Sequence, residues 1–170
     1  MRSTKPILSV DFDGVLSSYA SGWQGVGVVA DDPVPGAMAW ILATLPHYRI
    51  CVFSSRSKSL RGRHAMKQWL FGHLRRHYFT PEMEDERTAF EAVHGEVWTG
   101  CDMEELASVW AARVLKQLRF PWFKPPAYLT IDDRALTFTG DFADFGVRQL
   151  KLFRPWNKKV VVTDEQPAAK

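Results

Sequence analysis

Three short apolar runs in this chain each end abruptly in side chains suited to binding ions. Residues 7–10 lead straight into Asp11-Phe12-Asp13-Gly14, residues 49–53 into Ser54-Ser55-Arg56, and residues 127–131 into Asp132-Asp133. Short runs rich in apolar and β-branched residues, bounded by turn formers, read as buried strands. Helical patterns separate them. One covers 37–45, opened by Pro35-Gly36 and closed by Pro46. The next covers 60–78, with Met66, Trp69, Leu70 and Leu74 on one side and Gly62 and Gly72 as interruptions. Two more are expected at 82–93 and 103–118, then a fourth β-type run at 147–153. The alternation predicts a three-layer, Rossmann-like α/β fold with a mainly parallel central sheet and helices on both faces. Ligands of such sheets bind beyond the carboxyl ends of the strands. Each polar cluster alone is compatible with turn chemistry. Three of them at one end of one sheet would make a site.

At 170 residues the expectation is one domain over 1–156 and a polar tail over 157–170, whose only apolar stretch is 160–162. Hydrophobic residues at 46% and charged residues at 24% exclude a disordered chain. Seven Trp and eleven Phe call for an aromatic core or an aromatic surface groove. The net charge of +3 is too small to argue for nucleic acid by itself. Its distribution says more: Arg56, Lys58, Arg61, Arg63, Lys67, Arg75 and Arg76 crowd one segment, with acids gathered just after it at 82–86. That pattern fits either solvated helix faces or an anion-attracting patch. The two cysteines, Cys51 and Cys101, have neither zinc spacing nor a disulfide framework, which fits a reducing cytoplasm. No signal-peptide pattern and no apolar stretch of membrane-spanning length are seen.

Asp11-Phe12-Asp13-Gly14-Val15 resembles the opening motif of the haloacid dehalogenase-like hydrolases, Asp-x-Asp-Gly-Thr/Val. Ser54, Lys124 in Lys-Pro-Pro, and Asp132-Asp133 match that family's second, third and fourth motifs in order. The resemblance covers roughly residues 7–154 and has no counterpart at about 80–100. It implies a Mg²⁺-dependent phosphomonoester hydrolase. Asp11 would attack phosphorus and form an aspartyl-phosphate. Asp13 would protonate the leaving oxygen and then activate water. Family dehalogenases lack an acid at that place and transport ATPases carry Thr, so an Asp there points to phosphomonoesters. Mg²⁺ would be held by Asp11, the Asp13 carbonyl and Asp132, with Asp133 ligating through water or bonding nearby groups. Ser54 would bond a phosphoryl oxygen, Gly14 and Ser55 would lie against the substrate, and Lys124 would neutralise nucleophile and phosphoryl group. On an extended segment Asp11 and Asp13 would point to one side.

The spacing between motifs leaves no room for a large cap. A flexible flap at 17–29 and a small helical insertion near 80–100 are what it allows. Such an open site suits large substrates. Ser-x-Arg with Ile-Asp-Asp-Arg is similar to the phosphatase half of phage-type polynucleotide kinase/phosphatases and their stand-alone phage and bacterial relatives. The implied substrate is a nucleotide or nucleic-acid end in the cytoplasm of a bacterial or phage-infected cell. No phosphate-binding kinase loop is present. Arg56 would contact substrate, or would pair with Asp132 or Asp133 to hold the loop. Arg61 and Arg63 would follow a polynucleotide backbone. Trp23, beside Gly22 and Gly25, would stack a base; Phe120-Pro121-Trp122-Phe123 offers a second such place or packs in the core. Two other readings stay open: a phosphatase of sugar phosphates or other small metabolites, and a non-catalytic nucleotide-binding module.

Overall fold

β1 (Ile7–Val10) is the middle strand of a three-stranded parallel sheet, ordered β2-β1-β3, with β2 (Arg49–Val52) and β3 (Leu129–Ile131) on its flanks. This computed structural model describes residues 5–94, 103–137, 141 and 146–156. The expected 160–162 stretch and Cys101 lie outside the described residues. The chain divides into two units, Met1–Asp132 and Asp133–Lys170. The first is a mixed helix and sheet unit of α/β type. In it follow α1 (Ala37–Thr44), α2 (Leu60–His77), a 3-10 turn (Pro81–Met83), α3 (Glu84–His94) and α4 (Met103–Gln117).

Register explains why strand ends matter here. Ile7 to Val10 pair one for one with Arg49 to Val52, and Val10 stands opposite Ile131. The ladders run on past the strands, with Asp11 N–H donating to the Ile131 carbonyl at 2.9 Å and Phe53 N–H to that of Val10 at 2.9 Å. The outer edge of β2 is closed as well. Arg119 N–H donates to Ile50 and Val52 N–H to Arg119, which satisfies backbone groups that an open edge would expose.

The core follows the expected apolar positions. Val10, Val52, Phe12, Ile41, Met66, Leu70 and Leu74 are all completely buried. α2 and α4 pack on each other, and Ala107, Trp110, Ala111 and Val114 make the buried stripe of α4. Full burial of a side chain such as Leu70 contributes about 1.5–3 kcal/mol by removing apolar surface from water. β3 departs from the expectation of a doubly covered sheet. Leu129 and Ile131 are 50% and 39% exposed.

Gly62, an interruption in the helical pattern, has a structural reason. It lies one turn into α2, its N–H capped by the Ser59 hydroxyl at 2.9 Å, and a Cβ there would run into the Arg56 carbonyl. The α2 backbone therefore approaches the 55–58 turn more closely than any side chain permits.

The second unit corrects one expectation. Residues 147–153 do not form a strand; Val147–Leu152 is a six-residue helix, α5. Val147 and Leu150 stand three apart, which suits a helix face as well as a strand. Over so few residues periodicity does not separate the two.

Candidate active site

The register of β1 with β3 puts Asp11 and Asp132 at the next positions beyond two neighbouring strand ends. Asp11 and Asp132 bring carboxylate oxygens within 4.8 Å of each other. Asp11 is half-buried, Asp132 exposed, and the Asp133 side chain fully buried with Arg134 Nε 3.7 Å from it. Like charges at that separation or closer repel by about 3.5 kcal/mol or more at an effective dielectric constant near 20. Such a group is favoured by a cation, and an all-oxygen donor set suits a hard one such as Mg²⁺. The residues present therefore fit the expected metal.

Asp13 sits in different surroundings. β1 ends at Val10, and the chain then winds into a turn in which the Phe12 carbonyl accepts from Leu16 and Ser17 N–H groups. Gly14, at φ 95°, makes that turn possible. The strand thus ends before Asp13, which stands in the turn. Asp13 is 8% exposed and faces Arg56, whose Nε lies 3.0 and 2.9 Å from its two oxygens. Arg56 is itself 1% exposed. Its expected structural partner was Asp132 or Asp133; the structure pairs it with Asp13.

Arg56 also ties the flap. Its Nη1 donates to the Gly25 carbonyl at 2.9 Å and the Val26 carbonyl at 3.0 Å, and its guanidinium lies 4.6 Å from the centre of the Trp23 ring. The base of the flap is closed by Ser18 N–H to Asp32 and Val34 N–H to Leu16, and its far side by Trp69 Nε1 to the Asp31 carbonyl at 2.8 Å. Gly27 lies directly under Arg61, where a Cβ would clash with Nε. The expected flap is present, and it is stapled to the 55–58 turn and to α2.

Ser54 is buried and caps the 3-10 turn Ser55–Lys58. Its hydroxyl accepts from Arg56 N–H at 3.1 Å, while Ser57 accepts from Ser54 N–H. The Ser54 hydroxyl proton is directed at Met66 Sδ, 3.7 Å away. Ser55, Trp23, Arg61 and Lys124 are exposed, and Arg63 is half-buried. Among the described residues no ion pair joins Lys124 to the acidic group. The structure thus brings together Asp11 with Asp132, and Arg56 with both Asp13 and Trp23. Sequence reasoning missed Ser57, Gly27 and Gly62, which fix this second group. A glycine kept inside a helix at a cost of about 1 kcal/mol was the available signal. Beside the end of β3 lies a mostly apolar cavity of about 300 Å³, lined by Val15, Leu16, Val34, Pro35, Trp40 and Ile131 among others.

Comparison with protein-family models, with curated proteins and with solved structures returns no match.

Proposed function

We propose that this protein is a Mg²⁺-dependent phosphomonoester hydrolase of the haloacid dehalogenase type, acting on nucleotides or nucleic-acid end phosphates. The observation that carries the reading is the pair of Asp11 and Asp132 carboxylates beyond two paired strand ends. Its chain order, with Ser54 after the second strand and Lys124 before the third, supports it. Mg²⁺ bound by these carboxylates would neutralise the phosphoryl oxygens and lower the repulsion between substrate and Asp11.

In this reading an Asp11 oxygen forms a bond to phosphorus while the ester P–O bond breaks. The leaving oxygen takes a proton from Asp13. In the second half Asp13 accepts a proton from water, whose oxygen bonds phosphorus as the P–O bond to Asp11 breaks. Arg56 holds both Asp13 oxygens at rest. Proton transfer therefore requires Arg56 to give up at least one of them. Since Arg56 is also bonded to the flap at Gly25 and Val26, entry of substrate beneath the flap is the natural way to exchange it. Ser54 reaches a phosphoryl oxygen by rotating its hydroxyl from Met66, and Lys124 by closing from its exposed position.

The test is phosphate release from a panel of nucleotides, sugar phosphates and 3′- or 5′-phosphorylated oligonucleotides, with Mg²⁺ and with excess chelator. Metal-dependent turnover of nucleotides or oligonucleotides is expected. No turnover of any member would sink the proposal, and preference for sugar phosphates would replace its substrate class with small metabolites.

A further inference from the structure

α2 carries Arg or Lys at 61, 63, 67, 75 and 76 and His at 64, 73 and 77, with no Asp or Glu anywhere along it. Its two halves use these charges differently. Toward the C-terminus Arg75 pairs with Glu104 at 3.5 Å, and Arg76 bonds the His73 ring at 3.1 Å. Toward the N-terminus no carboxylate among the described residues pairs with Arg61, Arg63 or Lys67. Their neighbours are aromatic. The Arg63 guanidinium lies 4.2 Å from the centre of the Trp122 ring, and Lys67 Nζ lies 5.3 Å from that of Phe120. Arg63 Nε is buried and makes no hydrogen bond, so the guanidinium is committed to the ring rather than to an acid. Trp122 is 42% exposed and Phe123 85% exposed.

We propose that this strip, Arg61, Arg63 and Lys67 on α2 with the exposed Trp122 ring against Arg63 and the exposed Phe123 next to it in sequence, binds single-stranded polynucleotide. Unpaired cations attract the phosphate backbone, and exposed rings offer faces on which unpaired bases stack. A duplex hides its bases from such rings. A membrane surface calls for a continuous apolar face, whereas here a cation lies over the Trp122 ring. The strip begins at Arg61, which also covers Gly27 of the flap. The proposal rests on the phosphatase reading only for the direction in which the strand's phosphorylated end lies.

The test is fluorescence anisotropy with a labelled 12-nucleotide single strand carrying no terminal phosphate, so binding is read whether or not the protein hydrolyses anything. Affinity is expected to fall with salt with a logarithmic slope of about −2, for roughly three phosphates neutralised. Trp122→Ala is expected to weaken binding about tenfold, the loss of one stacked base. Lys67→Glu, an exposed change that leaves the core untouched, is expected to weaken it and flatten the slope by about 0.7 or more. Circular dichroism confirms that both variants are folded. Equal or tighter binding of the matching duplex would overturn the proposal, as would tighter binding to vesicles containing phosphatidylserine. So would wild-type affinity in both variants, or no binding to the single strand at low salt. If the strand binds as described but no phosphomonoester is hydrolysed, the strip stands and the phosphatase reading falls.

Discussion

Asp11 and Asp13 lie two residues apart in sequence and have different charged neighbours: a second carboxylate beside Asp11 and the Arg56 guanidinium on Asp13. Asp11 stands at a strand end within 4.8 Å of the Asp132 carboxylate, and this is the first region. Asp13 lies past the strand in a glycine turn, with a buried guanidinium on both of its oxygens. Under the proposed reading the first region gains free energy from a bound cation; the second already holds a counter-charge inside the fold. In the proposed phosphatase the first would carry the nucleophile that works with a metal, and the second the proton carrier that must be released on demand. The difference arises from where β1 stops. Val10 keeps its partners on both sides, and one residue later the register still aligns Asp11 with Asp132, but the turn that follows removes Asp13 from the sheet.

The largest effect should come from breaking the second region. Arg56→Ala takes the guanidinium away from both oxygens of the buried Asp13 carboxylate, and removing one partner of a buried pair costs about 3–5 kcal/mol. Urea denaturation should show that loss, and Asp13→Asn in the same background should recover part of it. A loss below about 1 kcal/mol would mean that the pair is solvated and the contrast false.

The first region should respond to metal instead. Mg²⁺ at roughly tenfold its dissociation constant should stabilise the protein by about 1.4 kcal/mol, read as a rise in thermal midpoint. Asp132→Asn should be no less stable than wild type without Mg²⁺, because it relieves repulsion, and should lose the response to Mg²⁺. An unchanged response in the variant would remove Asp132 from the site.

A smaller effect sets how much pH dependence lies outside both regions. Burial holds the His77 imidazole below its ordinary value of 6.5, against the opposing pull of Glu82 and Glu86; His73 is lowered by burial and by Arg76. The unfolded chain therefore takes up protons that the folded chain refuses. Their contribution is fully present above pH 6.5 and declines as pH falls through 6.5 toward the lowered folded values. Denaturation of His77→Gln across pH 5–8 should show a shallower decline than wild type, and an identical decline would show that His77 does not contribute.

Much of the first region was legible in the sequence. The β1 and β2 runs, α1, α2 and α4 stand within a residue or two of the expected spans, because each combines an apolar pattern with a clear stop such as Asp11, Pro46 or Ser54. The partners of Asp11 followed from strand order alone, since parallel neighbours bring their ends together. The second region was not legible. Arg56 and Asp13 are 43 residues apart, and their pairing depends on a turn geometry and a flap conformation that no periodicity encodes. Residues 147–153 failed for a different reason, a β-branched first residue in a segment too short to show its period.

The central claim is that Asp11 is the nucleophile of a metal-dependent phosphatase, and the most direct measurement is release of p-nitrophenol from p-nitrophenyl phosphate with Mg²⁺ by wild type and Asp11→Asn. Turnover by wild type and a loss of about 10³-fold or more in the variant, with folding and Mg²⁺-free stability retained, is the predicted result. Activity of Asp11→Asn within about tenfold of wild type would contradict it.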